Sequence, residues 1–273
     1  MRRFLVLLLI APFTQLPAQT MEFILSDGLY RVPYADGTVV SVTNGYMQHN
    51  PEGMYDMSGV LGAQPYHIVA AADGILRGIQ DSNTVECVCC WEDNNYVIIE
   101  HPNGEWTNYS HFATGTVTAL GHSVGDSVEA GDVLGEEGSV GCSSGPHLHF
   151  VVAKATGFAA IGGFLDGVTR IPQICGISNN YFTQSQSYIA GPCDDNCPQN
   201  VSVNQIVPEL GISIKRADEQ IETETTIFPQ FMNLEAGSAV VYRAGDRIII
   251  NPGFDAFAGC SFRAVIKTCN QDF

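Results

Sequence analysis

Apolar and polar residues alternate in short, strand-like runs along the first two thirds of the chain. Residues 96–101 read Tyr-Val-Ile-Ile-Glu-His, and after Asn103-Gly104 the segment 106–112 runs back with Trp, Tyr and Phe. An Asn-Gly pair between two such runs is a strong signal for a β-hairpin, because both residues tolerate the positive φ angles of a tight turn. Residues 116–120 and 147–153 are predicted to be further strands. No segment of this part has a convincing helical period.

The last part of the chain carries a weak internal repeat. Ala-Gly or Pro-Gly pairs recur every eight residues, at 236, 244 and 252, and once more at 258. Three of these pairs precede short β-rich runs, at residues 239–242, 247–250 and 262–266. A turn followed by a short strand, repeated, indicates either a small coiled sheet of the β-solenoid kind or an ordinary small sandwich.

These patterns predict a mainly β protein with two folded parts. The turn-rich, charged segment 191–198 is the predicted linker. It separates an antiparallel β-sheet or β-barrel-like domain at residues 21–190 from a small β-repeat module at residues 199–273. Apolar residues make up 45% of the chain and charged residues 15%, so most of it can pack a core.

The first residues have the layout of a secretory signal peptide. Arg2 and Arg3 precede the apolar run 4–11, and the small residue Ala18 offers a cleavage site, which predicts a signal peptide over residues 1–18. The apolar run is too short for a membrane span, and no other stretch is long and apolar enough to be one. We therefore expect a protein that is secreted, periplasmic or at the cell surface, without membrane insertion.

Export makes disulfides the expected state of the nine cysteines. Because nine is odd, at least one thiol is free or paired between chains. Cys193 and Cys197 could close one small loop, and Cys260 with Cys269 another, although the sequence does not determine the connectivity. The competing interpretation of the first cysteine cluster is a Cys-rich zinc site formed by Cys87, Cys89 and Cys90.

The chain is acidic, with 29 acidic against 12 basic residues and a net charge of −17. This balance argues against a nucleic-acid partner, which would require a basic face, and against attraction to anionic membranes. Between Ile79 and Ala153 the chain has eleven acidic residues and no lysine or arginine. Either the rim of a site in this region is negative and favours cationic substrates, or these acids serve solubility.

The sharpest chemical feature is the motif Gly-Pro-His-Leu-His-Phe at residues 145–150. In a strand, His147 and His149 would lie on one face while Leu148 points into the core. Two imidazoles on one face can share a metal site, although an isolated H-x-H motif more often marks a pair of surface histidines. Support comes from His111 on another predicted strand.

Upstream residues complete a possible ligand set. Zinc accepts imidazole nitrogen and carboxylate oxygen, and a catalytic zinc site keeps three protein ligands and one open position. His49, Asp56 and one histidine of the pair would supply these ligands. Glu52 is the rival carboxylate.

The order His…Asp…Tyr-x-His…Gly-Pro-His-Leu-His-Phe resembles the lysostaphin/LytM-type zinc endopeptidases, which have the duplicated hybrid motif fold. The resemblance covers about residues 45–153 and includes the flanking segments 68–74, 95–104 and 125–135. It implies hydrolysis of peptide bonds in the cross-links or stem peptides of bacterial cell-wall peptidoglycan, so a peptidoglycan peptide is the expected partner. The oligomeric state is not predicted.

The resemblance also implies roles for five residues. His49, Asp56 and His149 would bind one Zn²⁺ per chain. His111 and His147 would flank the open side, polarise the water and stabilise the tetrahedral intermediate. Which of these two acts as the main general base stays open.

One departure from the family concerns the spacing of the first two ligands. Many members space them four residues apart, whereas His49 and Asp56 are seven apart, with Pro51 and Gly53 between them. A longer turn must therefore return Asp56 to the metal.

Two other functions fit part of the pattern. The hairpin 125–135 is also similar to biotinyl/lipoyl carrier domains, but such a carrier needs a lysine at the hairpin tip and this region has none. The stronger alternative is a cell-wall binding or hydrolase-activating protein that kept the peptidase fold and lost zinc. Proteins of that kind usually lack a ligand, whereas all five site residues are present here. The segment 250–265 is similar to a β-repeat module of exported bacterial surface proteins, which implies an accessory role.

The remaining polar residues near these motifs receive structural interpretations. His67, His101 and His122 are expected to be packed or solvated rather than ligands. Ser143 and Ser144 are expected to form a turn, because no G-x-S-x-G motif surrounds them.

Overall fold

The computed structural model describes residues 24–177 and 180–193 and, between residues 200 and 266, the backbone of eight short strands. Within this described part, two short 3-10 helices, Trp91–Asp93 and Thr118–Leu120, accompany 22 strands. The fold is therefore mainly β, as the pattern predicts. No helix among these residues has the length and apolar character needed to cross a membrane.

Several predictions concern residues outside the described part. The signal peptide at residues 1–18 and residues 194–198 of the linker lie there. The same holds for three cysteines, Cys197, Cys260 and Cys269.

Fourteen strands form the first part of the chain. They are β1 (Leu25–Tyr30), β2 (Val39–Asn44), β3 (Tyr55–Leu61), β4 (His67–Val69), β5 (Gly74–Gln80), β6 (Glu86–Cys87), β7 (Tyr96–Glu100), β8 (Trp106–Ser110), β9 (Ser127–Val128), β10 (Val133–Glu136), β11 (Gly141–Cys142), β12 (Leu148–Lys154), β13 (Val168–Ile174) and β14 (Ser187–Ile189).

Ten of these strands share one open sheet. Its order is β14-β2-β3-β12-β8-β7-β5-β9, with β13 joined to β12 and β1 joined to β13. Its pairs are antiparallel except β1 with β13, which is parallel. The sheet ends at β14, at β9 and, on the branch through β13, at β1, rather than closing into a barrel. Strand β12 lies at its centre and pairs with β3, β8 and β13.

The predicted hairpin is confirmed. Strands β7 and β8 pair along their whole length, and Gly104 in the turn has a φ of 73°. The strand predicted at residues 147–153 is β12, displaced by one residue.

The strand predicted at residues 116–120 is wrong, because Thr118–Leu120 form a 3-10 helix. The carboxylate of Asp81 accepts hydrogen bonds from the backbone nitrogens of Val117 and Thr118, at 3.0 and 2.9 Å. These N–H groups are therefore unavailable for a sheet. The alternation of residue types alone does not reveal this distant partner.

Both faces of the sheet are covered. The larger core cluster contains large, fully buried side chains, among them Tyr34, Tyr109 and Phe150. The second cluster uses the alternate residues of the same strands, including Tyr96 and Trp106, and the loop that follows β12 covers it through Phe158 and Leu165. This loop also forms one wall beside the candidate site.

The C-terminal strands pair in parallel. They are β15 (Asn200–Val203), β16 (Ile212–Ala217), β17 (Gln220–Thr223), β18 (Met232–Leu234), β19 (Ala239–Ala244), β20 (Arg247–Ile249), β21 (Phe254–Ala256) and β22 (Ser261–Ile266). They form three parallel sheets, β15-β17-β20, β16-β19-β22 and β18-β21, and from β17 onward the chain visits the three in a constant order. Parallel pairing in a cyclic order is typical of a coiled, solenoid-like sheet rather than of an antiparallel sandwich.

Two disulfides lie in the described part, Cys87–Cys90 and Cys175–Cys193. The pairing of Cys193 with Cys197 suggested by their short spacing is therefore wrong, because the fold brings Cys193 to Cys175, with a Cα–Cα distance of 5.2 Å. The disulfide at Cys87 also argues against a zinc site in that cluster, since thiolates must be free to bind metal.

Candidate functional site

The centre of the site is a pair of residues that face each other on neighbouring strands. Asp56 on β3 and His149 on β12 are direct partners in the antiparallel register. Directly opposed side chains on one face lie close together, and Nδ1 of His149 is 3.0 Å from Oδ1 of Asp56. Leu148 points to the other face and is 1% exposed, as strand alternation predicts.

His49 reaches the same carboxylate oxygen from the loop before β3. Its Nε2 is 3.5 Å from Oδ1 of Asp56, and the ring centroids of His49 and His149 are 4.8 Å apart. Nδ1 of His49 donates to the carbonyl of Pro51 at 2.7 Å, which holds Nε2 toward the cluster.

A folded turn accommodates the seven-residue spacing between His49 and Asp56. Gly53 donates its N–H to the carbonyl of Tyr46 at 2.7 Å and has a φ of 98°. A Cβ at Gly53 would lie 2.3 Å from Oγ1 of Thr169, so the turn requires glycine. Glu52 on this turn is exposed and lies outside the group of possible ligands.

His111 enters the site through an unusual backbone conformation. Ser110 is the register partner of His149 and shares its face, so a regular strand would turn His111 into the core. Instead β8 ends at Ser110, and His111 has a φ of 73°. Its ring centroid lies 4.7 Å from that of His147. Its Nδ1 donates to the carbonyl of Val140 at 2.9 Å.

His147 completes the cluster. Its Nε2 is 3.5 Å from Oδ1 of Asp56. On the other side of the ring, Nδ1 lies 2.8 Å from the carbonyl of Gly145 and 3.2 Å from Oγ of Ser143. Oγ of Ser143 also accepts from the backbone nitrogen of Gly145 at 3.2 Å, which closes a turn, as expected, and no sequence motif marks its contact with His147.

Asn44 also contacts the cluster, although no sequence motif marks it: its Nδ2 donates to Oδ2 of Asp56 at 2.9 Å. The register between β2 and β3 shifts here, so that Val42 pairs with Met57 and Asn44 pairs with Asp56. This β-bulge turns the Asn44 side chain toward the carboxylate. No local pattern marks the bulge, and only the pairing of the two strands reveals it.

The donor set fits zinc. The ligand atoms of His49, Asp56 and His149 all lie within 4.8 Å of one another. Ligands on a tetrahedral zinc with bonds of 2.0–2.1 Å are roughly 3.3 Å apart, and the His149–Asp56 and His49–Asp56 distances are 3.0 and 3.5 Å. Two imidazole nitrogens and one carboxylate oxygen, with room for a fourth ligand, are the chemistry of a catalytic zinc site.

The charges in the cluster favour metal binding. Burial alone would raise the pKa of Asp56, but hydrogen bonds from His147, His149 and His49 hold it well below its usual range. The carboxyl is therefore ionised, as a metal ligand must be. Burial lowers the pKa of His149, more than the hydrogen bond of Asp56 raises it.

The pKa values of the other three histidines in the cluster shift in different directions. Burial, with the nearby His149 and His147, lowers the pKa of His111 to about 3, so this ring is neutral at ordinary pH. Burial also acts to lower the pKa of His49 and of His147, but the hydrogen bond and charge of Asp56 outweigh it and raise both.

The histidines expected to be structural lie elsewhere. His101 is 4% exposed, with Nδ1 2.7 Å from the carbonyl of Asp73 and Nε2 2.8 Å from Oγ1 of Thr107. His122 bonds the carbonyl of Val133, and His67 is half-buried on β4. None of the three lies in the cluster.

The sequence of residues 55–159 matches the family model described as peptidase family M23. The match includes Asp56, His111, His147 and His149 and begins after His49. No curated protein matches the chain significantly.

Several solved structures are similar to part of the chain. The M23 metalloprotease pseudoalterin from the deep sea is 19% identical, over 60% of this chain and 96% of its own, with a TM-score of 0.37. Lysostaphin from Staphylococcus simulans is 24% identical, over 44% of each chain, with a TM-score of 0.32. A zinc-containing peptidase from Vibrio cholerae is 22% identical, over 48% of this chain and 35% of its own, with a TM-score of 0.29. The chain thus spans less than half the length of the latter two proteins.

Proposed function

From the match of residues 55–159 to the model of peptidase family M23, we propose that the chain is a secreted zinc endopeptidase that hydrolyses peptide bonds in bacterial peptidoglycan. One Zn²⁺ per chain would be held by His49, Asp56 and His149. The substrate would be a cross-link or stem peptide, met in the periplasm, at the cell surface or outside the cell.

One observation carries the proposal. Three histidines, from a loop, a turn and a strand, converge on a single oxygen of Asp56, at distances between 3.0 and 3.5 Å. Several imidazole nitrogens gather around one carboxylate oxygen only where protons or a cation balance the negative charge, and a metal ion would do so here.

Zinc bound there would supply Lewis acidity that polarises the scissile carbonyl and acidifies water. Asn44 would keep the carboxylate of Asp56 in place through Oδ2, which leaves Oδ1 for the metal. Pro51 would hold the ring of His49 through its carbonyl in the same way.

His111 and His147 would flank the scissile peptide. A carbonyl oxygen can only accept, so the bonds to Val140 and Gly145 assign the proton of each neutral ring to Nδ1. Nε2 of His111 is then available for the reaction, and Nε2 of His147, 3.5 Å from Oδ1 of Asp56, would become available once the metal takes that oxygen. A ring with a free Nε2 can take a proton from water and return it to the leaving amine, and while it holds that proton it can donate to the charge that develops on the carbonyl oxygen.

The first experiment measures zinc and cleavage in the oxidised protein without its signal peptide. Elemental analysis is expected to find about one zinc per chain. Incubation with purified peptidoglycan is expected to release new amino groups, with product masses that identify the broken bond. Asp56→Ala should lose both zinc and cleavage.

Glu52→Ala is the matched control, since Glu52 was the rival carboxylate and is exposed. It should keep both zinc and cleavage. A parent protein that contains no zinc, cleaves nothing and still binds cell walls would overturn the proposal in favour of the inactive wall-binding protein. Amino-terminal sequencing of the exported protein tests cleavage after residue 18.

A further inference from the structure

A pocket opens beside the cluster formed by His49, Asp56 and His149. Its floor comes from the sheet, with Asn108 and Ser110 on β8 and Val151 on β12. These residues share the face of His149, because alternate residues of a strand point to the same side. His149 itself borders the pocket, so a substrate bound at the metal would extend into it.

The opposite wall is the loop that follows β12, and the sheet holds it firmly. Nδ2 of Asn108 donates to the carbonyl of Gly163 at 2.7 Å, and the hydroxyl of Tyr96 donates to the carbonyl of Ala160 at 2.7 Å. Gly163 has a φ of 76°, and a Cβ there would lie 2.6 Å from the ring of Tyr96. The wall is therefore already formed before a ligand binds.

The polar side chains of the pocket are already engaged. Oδ1 of Asn108 accepts from Ser110 at 2.8 Å, so both ends of this amide are used. Asn94 accepts from the backbone nitrogen of Cys142 at 3.1 Å and donates to the carbonyl of Gly162 at 3.4 Å.

Met54, Val151, Phe164 and Leu165 supply the apolar lining, and the hydroxyl of Thr169, which also lines the pocket, is bonded to that of Tyr46 at 3.0 Å. No lysine, arginine, aspartate or glutamate is among the described residues that line the pocket. In a chain of net charge −17, such a neutral surface beside the cluster is distinctive. A charged side chain that entered it would lose water without gaining a partner.

An aromatic pair continues this surface outward. Phe164 is 43% exposed and Trp91 is 49% exposed, with ring centroids 5.7 Å apart. Exposed aromatic side chains next to a pocket are typical of binding surfaces.

We propose that this pocket is a specificity subsite, which binds an uncharged, apolar side chain of the substrate next to the scissile bond, with Phe164 as the specificity-determining wall. The inference rests on the proposed peptidase function and deepens it. It assigns the substrate class by chemistry: a peptide with an apolar residue, rather than an acidic or basic one, beside the bond that is cut.

The test uses the zinc-loaded protein and synthetic peptides that differ at one residue flanking the cleaved bond, on either side in turn. The variable residue is Leu, Gly, Asp or Lys, and kcat/KM is measured for each. On one side, the Leu peptide should be cleaved at least about tenfold better than the Asp and Lys peptides, the usual range for an apolar pocket.

Phe164→Ala should lower kcat/KM for the Leu peptide by about fivefold to tenfold, mainly through KM, and leave the Gly peptide unchanged. Ile161→Ala is the matched control, because Ile161 is an exposed apolar residue of the same loop that does not line the pocket. Equal rates for Leu, Asp and Lys, or equal effects of the two variants, would overturn the subsite while the peptidase function stands.

If no peptide is cleaved although zinc is bound, the proposed function fails, and calorimetric binding of the same peptides tests the pocket separately. The Leu peptide should then bind more tightly than the Asp and Lys peptides, and Phe164→Ala should abolish the difference. Equal affinities would overturn the subsite in that case as well.

Discussion

At the scale of single residues, the placement of the His111 side chain depends on an unusual backbone conformation, with a φ of 73°. A non-glycine residue at positive φ costs of order 1–3 kcal/mol and persists only where its surroundings hold it. Here the backbone N–H of His111 bonds the carbonyl of Asn95 at 2.8 Å, and its ring bonds Val140. The strain therefore coincides with the residue that borders the proposed metal site without belonging to its ligand set.

His111→Ala separates a flanking role from a ligand role. The variant should keep about one zinc per chain and lose kcat by roughly 10²–10⁴, the range for loss of a positioned acid or base. His149→Ala should lose both zinc and activity. Elemental analysis and single-substrate kinetics measure the two properties, and loss of zinc from His111→Ala would contradict the division of roles.

Asn44→Ala tests whether Asn44 holds the carboxylate of Asp56 in place. Without its bond to Oδ2, the carboxylate can rotate, and zinc affinity should fall roughly tenfold to a hundredfold. Chelator competition measures the dissociation constant.

Thr43→Val is the control, since Thr43 bonds the backbone carbonyl of Asp56 rather than its carboxylate. Its zinc affinity should change much less. Equal losses in the two variants would mean that Asn44 acts through general stability.

At the scale of elements, a buried carboxylate attaches β1 to the β7–β8 hairpin. Glu105 is fully buried and accepts from the backbone nitrogens of Asp27 and Gly28, the hydroxyl of Tyr30 and the amide of Asn103. Four donors on one carboxylate compensate its lost hydration.

Glu105→Gln should lower the free energy of unfolding by about 1–3 kcal/mol, because its amide nitrogen would face groups that also donate. Urea denaturation measures the loss, and hydrogen exchange should show faster exchange in β1. Glu100→Gln is the control: its pair with Arg77 is partly exposed, so the change should be about 0–1 kcal/mol. A similar loss in both variants would argue against the anchoring role.

His101 links the end of β7 to the turn before β5. Its shifted pKa predicts how the stability of the fold depends on pH. Burial lowers its pKa from 6.5 to about 4. The unfolded chain therefore takes up a proton below pH 6.5 while the folded chain stays neutral until about pH 4, so stability should fall by about 3 kcal/mol across that window.

His101→Gln should remove this contribution. The difference between the urea stabilities of parent and variant should be largest near pH 7 and shrink toward pH 4, which isolates His101 from the other histidines. A pH-independent difference would mean that the ring does not titrate as its burial implies.

At the scale of the whole molecule, the histidines and the aspartate of the site lie between residues 49 and 149, and the proposed accessory module at 199–273 contains no histidine. A chain that ends at residue 198 keeps the Cys175–Cys193 disulfide. It should cleave soluble peptides with kcat/KM within about twofold of the full chain, which is little more than 0.4 kcal/mol. Its binding to intact cell walls should weaken.

Pull-down on purified sacculi and peptide kinetics measure these two properties. If the shortened chain keeps its zinc and the circular-dichroism spectrum of a folded β domain but loses peptide cleavage, the proposed division into domains is wrong.

Local patterns in the sequence determined several parts of this protein. The Asn-Gly turn predicts the β7–β8 hairpin, and alternation predicts that His147 and His149 share a face while Leu148 packs inside. The ordered histidine and aspartate motifs indicated the resemblance to this family, which the match of residues 55–159 to the family model bears out. Each of these signals lies within a few residues or in a characteristic motif.

Only the tertiary structure decided the rest. His49 and Asp56 meet through a turn that closes on Thr169, Asn44 reaches Asp56 through a bulge, and Asp81 converts a predicted strand into a 3-10 helix. His149 and Asp56 are 93 residues apart in the chain and 3.0 Å apart in space. Side-chain periodicity follows from neighbouring residues, whereas register, bulges and distant hydrogen bonds depend on which strands pair, and that is settled by the packing of the whole sheet.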